Sequence, residues 1–75
     1  MKYIRTEDGI IVFPMIIAHA EMKRSIGNRD ILSAGFVKQD KDKKLVCFGR
    51  SESLNIKSDP EDTMILHIQI KIMGV

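Results

Sequence analysis

The chain has 75 residues, with 12 Lys and Arg against 10 Asp and Glu, a formal net charge of +2; this bounds it to one small domain and is too little charge to mark a nucleic-acid binder by itself. With 44% hydrophobic and 29% charged residues, the composition is that of a folded globular protein, not of a disordered segment. Cys47 is the only cysteine, which excludes an internal disulfide and a multi-thiolate zinc site and fits a reducing compartment.

Lys2, Arg5, Glu7 and Asp8 interrupt the first ten residues, so no secretory leader is expected there. No apolar run approaches the ~18 residues of a membrane span. The expected location is the cytoplasm, and no membrane partner is expected. Residues Lys2 to Phe13 predict a first hairpin, because Asp8-Gly9 between apolar runs is a short-range turn signal. Pro14 ends its second strand, since it lacks the N–H that a ladder needs.

From Met15 to Ile26 the spacing turns helical. Met15, Ala18, Met22 and Ile26 form one apolar stripe. Lys23 and Arg24 suit the last turn, and Gly27-Asn28 is a left-handed stop. His19 falls off that stripe and is expected at the helix boundary.

Ile31 to Arg50 predicts a second hairpin and the centre of the fold. Its strands, ILSAGFV and LVCFG, are apolar on both faces, which suggests central strands, with Ser33, Ala34 and Gly35 small enough to admit a helix. Cys47 is then a small buried hydrophobe. The connection Gln39 to Lys44 alternates Lys41, Lys43 and Lys44 with Asp40 and Asp42, and is expected to be exposed and mobile. Lys41, Asp42, Lys43 and Lys44, with Arg50 at the end of the second strand, are the candidate partner-binding residues. Gly49-Arg50-Ser51 lacks the longer frame of a Walker loop; a strand exit followed by a helical turn is expected there.

Ser58-Asp59-Pro60-Glu61 predicts a helix start, with Ser58 and Glu61 spaced as a capping box. Beyond it, residues 65 to 73 alternate like a strand and also carry a helical stripe. The capping chemistry favours a helix, with an edge strand as the alternative. The expected architecture is a single α+β domain over residues 1–75: two hairpins in a small antiparallel sheet with two helices, order ββαββα. So small a chain buries only about 60% of its unfolded surface, and a homodimer would add to that.

Catalytic chemistry is not expected. His19, His67 and Cys47 cannot complete a zinc site without carboxylates from unpredictable positions, and no metal or cofactor is expected. His19-Ala20-Glu21 matches half of the zinc deaminase signature, but Pro-Cys-x-x-Cys is absent. Ser51 and His67 lack the Gly-x-Ser-x-Gly elbow of a serine hydrolase. Tyr3, Phe13, Phe36 and Phe48 occupy apolar strand positions and are not interleaved with basic residues, so a stacking platform for single strands is not expected.

Through VFP, SAGFV, CFGRSESL and PEDT, in that order over nearly the whole chain, the sequence resembles small accessory reading frames of bacteriophages and prophages. That group includes inhibitors of host defences such as anti-CRISPR proteins, and the resemblance implies a short protein that blocks a larger host protein or complex, for instance a defence nuclease. Many anti-CRISPR proteins are acidic DNA mimics, whereas this chain is net basic. Steric inhibition of a host complex is the leading expectation. The alternative is a small basic nucleic-acid-binding or regulatory module.

Overall fold

The computed structural model describes residues 1–73. In chain order it holds β1 (Lys2–Thr6), β2 (Gly9–Phe13), α1 (His19–Ser25), β3 (Ser33–Gln39), β4 (Leu45–Phe48), β5 (Arg50–Ser51), β6 (Ile56–Lys57) and α2 (Asp62–Ile72). The protein is α+β, as expected: a four-stranded antiparallel sheet ordered β2-β1-β3-β4, a two-stranded ribbon β5-β6, and two helices. Among the described residues no helix is long and apolar enough to cross a membrane.

Both predicted hairpins form, but the second is not the centre. β1 pairs with β2 on one side and with β3 on the other, so the middle of the sheet is β1–β3 and β4 is an edge. The reason lies in side-chain size and alternation. Tyr3, Ile4 and Ala34 are fully buried, and each fully buried large apolar side chain contributes about 1.5–3 kcal/mol. On one face Tyr3, Ile10, Val37 and Leu66 form a core under α2; on the other Ile4, Phe13 and Ala34 pack with Met22 and Ile26 and with Leu54 and Ile56 around the ribbon.

The first helix is shorter than its apolar stripe predicts. After Pro14 the chain makes a turn in which the Ile17 amide donates to the Pro14 carbonyl, and α1 begins only at His19. Its start is fixed by Glu21, whose Oε1 accepts the Ala18 amide at 3.1 Å. Met15 is therefore 55% exposed, and His19, expected at a boundary, is buried.

Residues 50–57 also depart from expectation. Instead of a strand exit and helical turn, Arg50 pairs with Lys57 and Ser51 with Ile56. Leu54 donates its amide to the Ser51 hydroxyl at 3.2 Å, closing the loop between them.

The C-terminal segment is a helix, and residues 74 and 75 lie outside the described residues. The Ser58–Glu61 capping box does not form: Glu61 is the N-cap of α2 and no side chain caps it, while a pair of side-chain bonds orders the turn just before the helix. Asp59 accepts the Glu61 amide at 3.0 Å and Asp62 accepts the Asp59 amide at 2.9 Å, while the Ser58 amide is taken by the Gly49 carbonyl. Gln69 then ties the helix to the edge strand β2: its Oε1 accepts the Ile10 amide at 2.8 Å and its Nε2 donates to the Ile10 carbonyl at 2.7 Å. A strand over 65–73 would lose both this anchorage and the Leu66 contact with the core.

Candidate nucleic-acid interface

Strand alternation and register build the site. Phe36 sits opposite Phe48 across β3 and β4, and Lys2 sits opposite Phe36 across β1 and β3, so Lys2, Phe36 and Phe48 form one row on the face away from α2. Lys38 and Val46 form the next row. The Phe36 and Phe48 rings are 5.9 Å apart and tilted by 37°. The Lys38 ammonium lies 4.7 Å from the Phe48 ring centre, a cation–π distance.

Gly49 keeps this row open. Its φ of 77° turns the chain off the sheet after Phe48, and a Cβ there would stand 3.1 Å from Phe36 Cδ2. Because the ribbon that follows packs elsewhere through Leu54 and Ile56, Phe48 stays 39% exposed. The result is a groove of about 510 Å3 bordered by Lys2, His19, Phe36, Phe48, Arg50 and Glu52.

His19 supports the floor of the groove. Its ring stands edge-on between Phe13 and Phe36 at 5.5 and 5.6 Å, and its Nε2 donates to the Gly35 carbonyl at 2.9 Å. A carbonyl only accepts, so that nitrogen carries the proton. The cations of the rim are held in place too: Lys2 Nζ donates to the Ile17 carbonyl at 3.0 Å, and Arg50 bonds Asn55 and pairs with Glu52 at 3.6 Å.

The residues singled out from the sequence lie at two ends of this face. Lys41, Asp42, Lys43 and Lys44 belong to the β3–β4 turn, and Arg50 lies beyond the opposite end of β4, whose four residues span about 13 Å at ~3.3 Å each. The turn is exposed, as expected, and carries its own hydrogen bonds. Asp40 Oδ1 accepts the amides of Asp42 and Lys44 at 2.8 and 3.0 Å, and Lys43 adopts a left-handed φ of 64°. One short aspartate thereby organises the whole tip. Among the described residues no ion pair engages Lys41, Lys43 or Lys44.

Sequence reasoning missed Lys2, Phe36, Lys38 and Phe48. Alternation alone puts Phe36 with Lys38 and Val46 with Phe48, yet the β1–β3 pairing that brings in Lys2 spans more than thirty residues of sequence and has no local signal.

A second polar cluster lies on the other face and is closed to solvent. Asp62 has no exposed surface; it accepts from the Tyr3 hydroxyl at 2.5 Å, from Arg5 Nη1 at 2.9 Å and from the Asp59 amide at 2.9 Å. Burial first, then the bond to Asp62 and its charge, push the Tyr3 phenol far above its ordinary range. Sealed in this way, the cluster joins α2 to β1 and offers no entry to a substrate. Among the described residues no group of three His, Cys, Asp or Glu side chains could hold a metal ion.

Cys47 packs against the core beneath α2, and burial, followed by the Asp62 charge, pushes its thiol up to about 11 despite a hydrogen bond from Thr63 that acts the other way. The thiolate is the nucleophile, so alkylation by iodoacetamide at pH 8 is expected to run about 100-fold slower in the folded protein than for a thiol of pKa near 9, the factor following from a shift of about two units. The folded state holds this proton more tightly than the unfolded one. Stability therefore falls as pH rises from about 9 through 11. Rapid alkylation of the native protein would contradict this packing.

Comparison with known proteins finds no matching family model, no similar curated protein and no similar solved structure.

Proposed function

We propose that the protein is a small module for single-stranded nucleic acid, with bases stacking on Phe36 and Phe48 and phosphates tracked by Lys2, Lys38 and Arg50. The observation that carries this reading is the open row Lys2–Phe36–Phe48 with Lys38 over its outer ring. Stacking on an aromatic side chain contributes about 1–3 kcal/mol per base and tolerates any base. Lys38 has a natural exchange to make, leaving the Phe48 face for a phosphate as a base takes its place. The ordered lysine turn extends the cationic track along the same hairpin.

Fluorescence anisotropy with labelled single-stranded oligonucleotides tests this. For about three or four phosphate contacts, affinity is expected to fall roughly 20–50-fold between 50 and 200 mM salt. Phe48→Ala is expected to weaken binding by roughly 5–100-fold with an unchanged circular dichroism spectrum. Absence of binding at low salt, or binding indifferent to salt, would refute the proposal.

A second reading is the steric block of a larger host protein complex that the phage resemblance implies. The hydrogen bonds that Asp40 makes within the exposed turn support it, because a tip already bonded in one conformation loses less entropy on entering a partner surface. Replacing Lys41, Lys43 and Lys44 together by Ala separates the two: it abolishes binding to the host partner under the second reading, whereas under the first oligonucleotide binding persists at low salt with reduced affinity and a lower salt slope.

A further inference from the structure

We infer that α2 is the contact surface of a homodimer, in which two copies pair their α2 helices antiparallel with Ile68 on the two-fold axis. The helix buries Asp62 and Leu66 and ties Gln69 to β2, which leaves Met64, Ile68 and Ile72 on another side at a spacing of four residues. They are 61%, 50% and 81% exposed. Four-residue spacing stacks them into a ridge along the helix, and Ile65 and Met73 continue it to an apolar groove on its flank.

The ridge is self-complementary in shape and charge. It reads almost the same in both directions about Ile68, so an antiparallel copy sets Met64 against Ile72 twice over, the isologous arrangement that two-fold symmetry demands. Glu61 stands two turns before Ile68 at the acidic end of the ridge, and Lys71 flanks the opposite end. Antiparallel pairing brings each Lys71 towards Glu61 of the second copy and opposes the helix dipoles, whereas parallel pairing sets like charges side by side. Glu61 is free enough to respond, since its pair with Arg5 is long at 3.5 Å and its side chain is 61% exposed. Sealing this ridge also suits a chain of 75 residues, which buries little apolar surface alone. The nucleic-acid groove lies on the opposite face of the sheet, so the dimer presents two grooves pointing outward and neither proposal depends on the other.

Sedimentation equilibrium from micromolar to submillimolar concentration reads the association directly. The wild-type chain is expected to dimerise, and Ile68→Asp to raise the dimer dissociation constant by about 30-fold or more, as expected for a central interface anchor. Ile68 is half exposed in one copy, so circular dichroism of the variant should be unchanged. Cross-linking fixes the register: on a Cys47→Ser background, Ile68→Cys should oxidise to a disulfide-linked dimer, whereas Met64→Cys, placed some 12 Å from its symmetry mate by the ~1.5 Å rise per residue, should not. A wild-type chain that stays monomeric throughout, a dimer indifferent to Ile68→Asp, or efficient cross-linking through Met64→Cys but not Ile68→Cys would each overturn the inference.

Discussion

Asp62→Ala is expected to destabilise the protein by about 3–5 kcal/mol, the cost of removing one partner from a buried ion pair. The carboxylate has no exposed surface and holds three donors: the Tyr3 hydroxyl, the Arg5 guanidinium and the Asp59 amide. With alanine in its place the Tyr3 hydroxyl is buried without an acceptor. The Arg5 side chain, 12% exposed and with a buried Nε already lacking a partner among the described residues, retains only the long contact to Glu61. The turn that starts α2 loses its reciprocal bond as well. For a domain of this size the loss corresponds to a fall in Tm of roughly 15–30 °C, read by thermal denaturation followed by circular dichroism. Tyr3→Phe is the control, because it removes one donor and leaves the charge paired, at a cost of about 1.5–3 kcal/mol. Equal effects of the two substitutions would mean that the ion pair does not hold α2 to the sheet.

Gly35→Ala is the second change with a large expected effect, and its cause is space alone. A Cβ at Gly35 would lie 2.4 Å from the Phe48 carbonyl oxygen and 3.3 Å from Tyr3 Cε1. The first neighbour is backbone, so no side-chain rotation relieves the clash and β4 must move away from β3. Overpacking costs about 1–3 kcal/mol where side chains can yield, and the upper end or beyond is expected here. The displacement also pulls Phe48 from its place beside Phe36 and disturbs the carbonyl that receives His19. Gly35→Ala should therefore lower Tm and weaken oligonucleotide binding together, unlike Phe48→Ala, which is expected to lower binding alone. A Gly35→Ala protein with native stability would show that β4 is not held against β3 as described.

The two faces of the sheet thus divide the work. One face is locked to α2 by apolar packing and a sealed carboxylate. The other carries α1 and the ribbon and leaves Phe48, Lys38 and Arg50 exposed beside the half-buried Phe36 and Lys2. Under the proposed nucleic-acid reading, the packing on one face would hold the Phe36 and Phe48 rings in place for bases to stack on.

Local chemistry by itself determined the elements whose causes lie within a few residues. Asp8-Gly9 specified the first turn, Pro14 ended β2, Gly27 stands just after α1, and the segment 58–62 started α2 even though the Ser58–Glu61 capping box does not form and Asp59 bonds Asp62 instead. The α+β class follows from that order of elements. Tertiary structure decided what depends on distant partners. Whether Ile31 to Arg50 was the centre of the sheet rested on β1 pairing with β3, and the helix over 65–73 rested on Leu66 finding a core and Gln69 finding β2, since its pattern suited a strand equally. Met15 matched the helical stripe, but Pro14 and the Glu21 cap placed the start of α1 at His19. Alternation placed the aromatics at apolar strand positions, but Tyr3 and Phe13 are buried whereas Phe36 is half-buried and Phe48 is 39% exposed beside Lys38. Period and spacing report which residues share a face, but not which face the rest of the chain will cover. Coverage is set by the path of the whole backbone, here by the turn at Gly49 that lays the ribbon over Ile4, Phe13 and Ala34 and leaves Phe48 at the open end of the row.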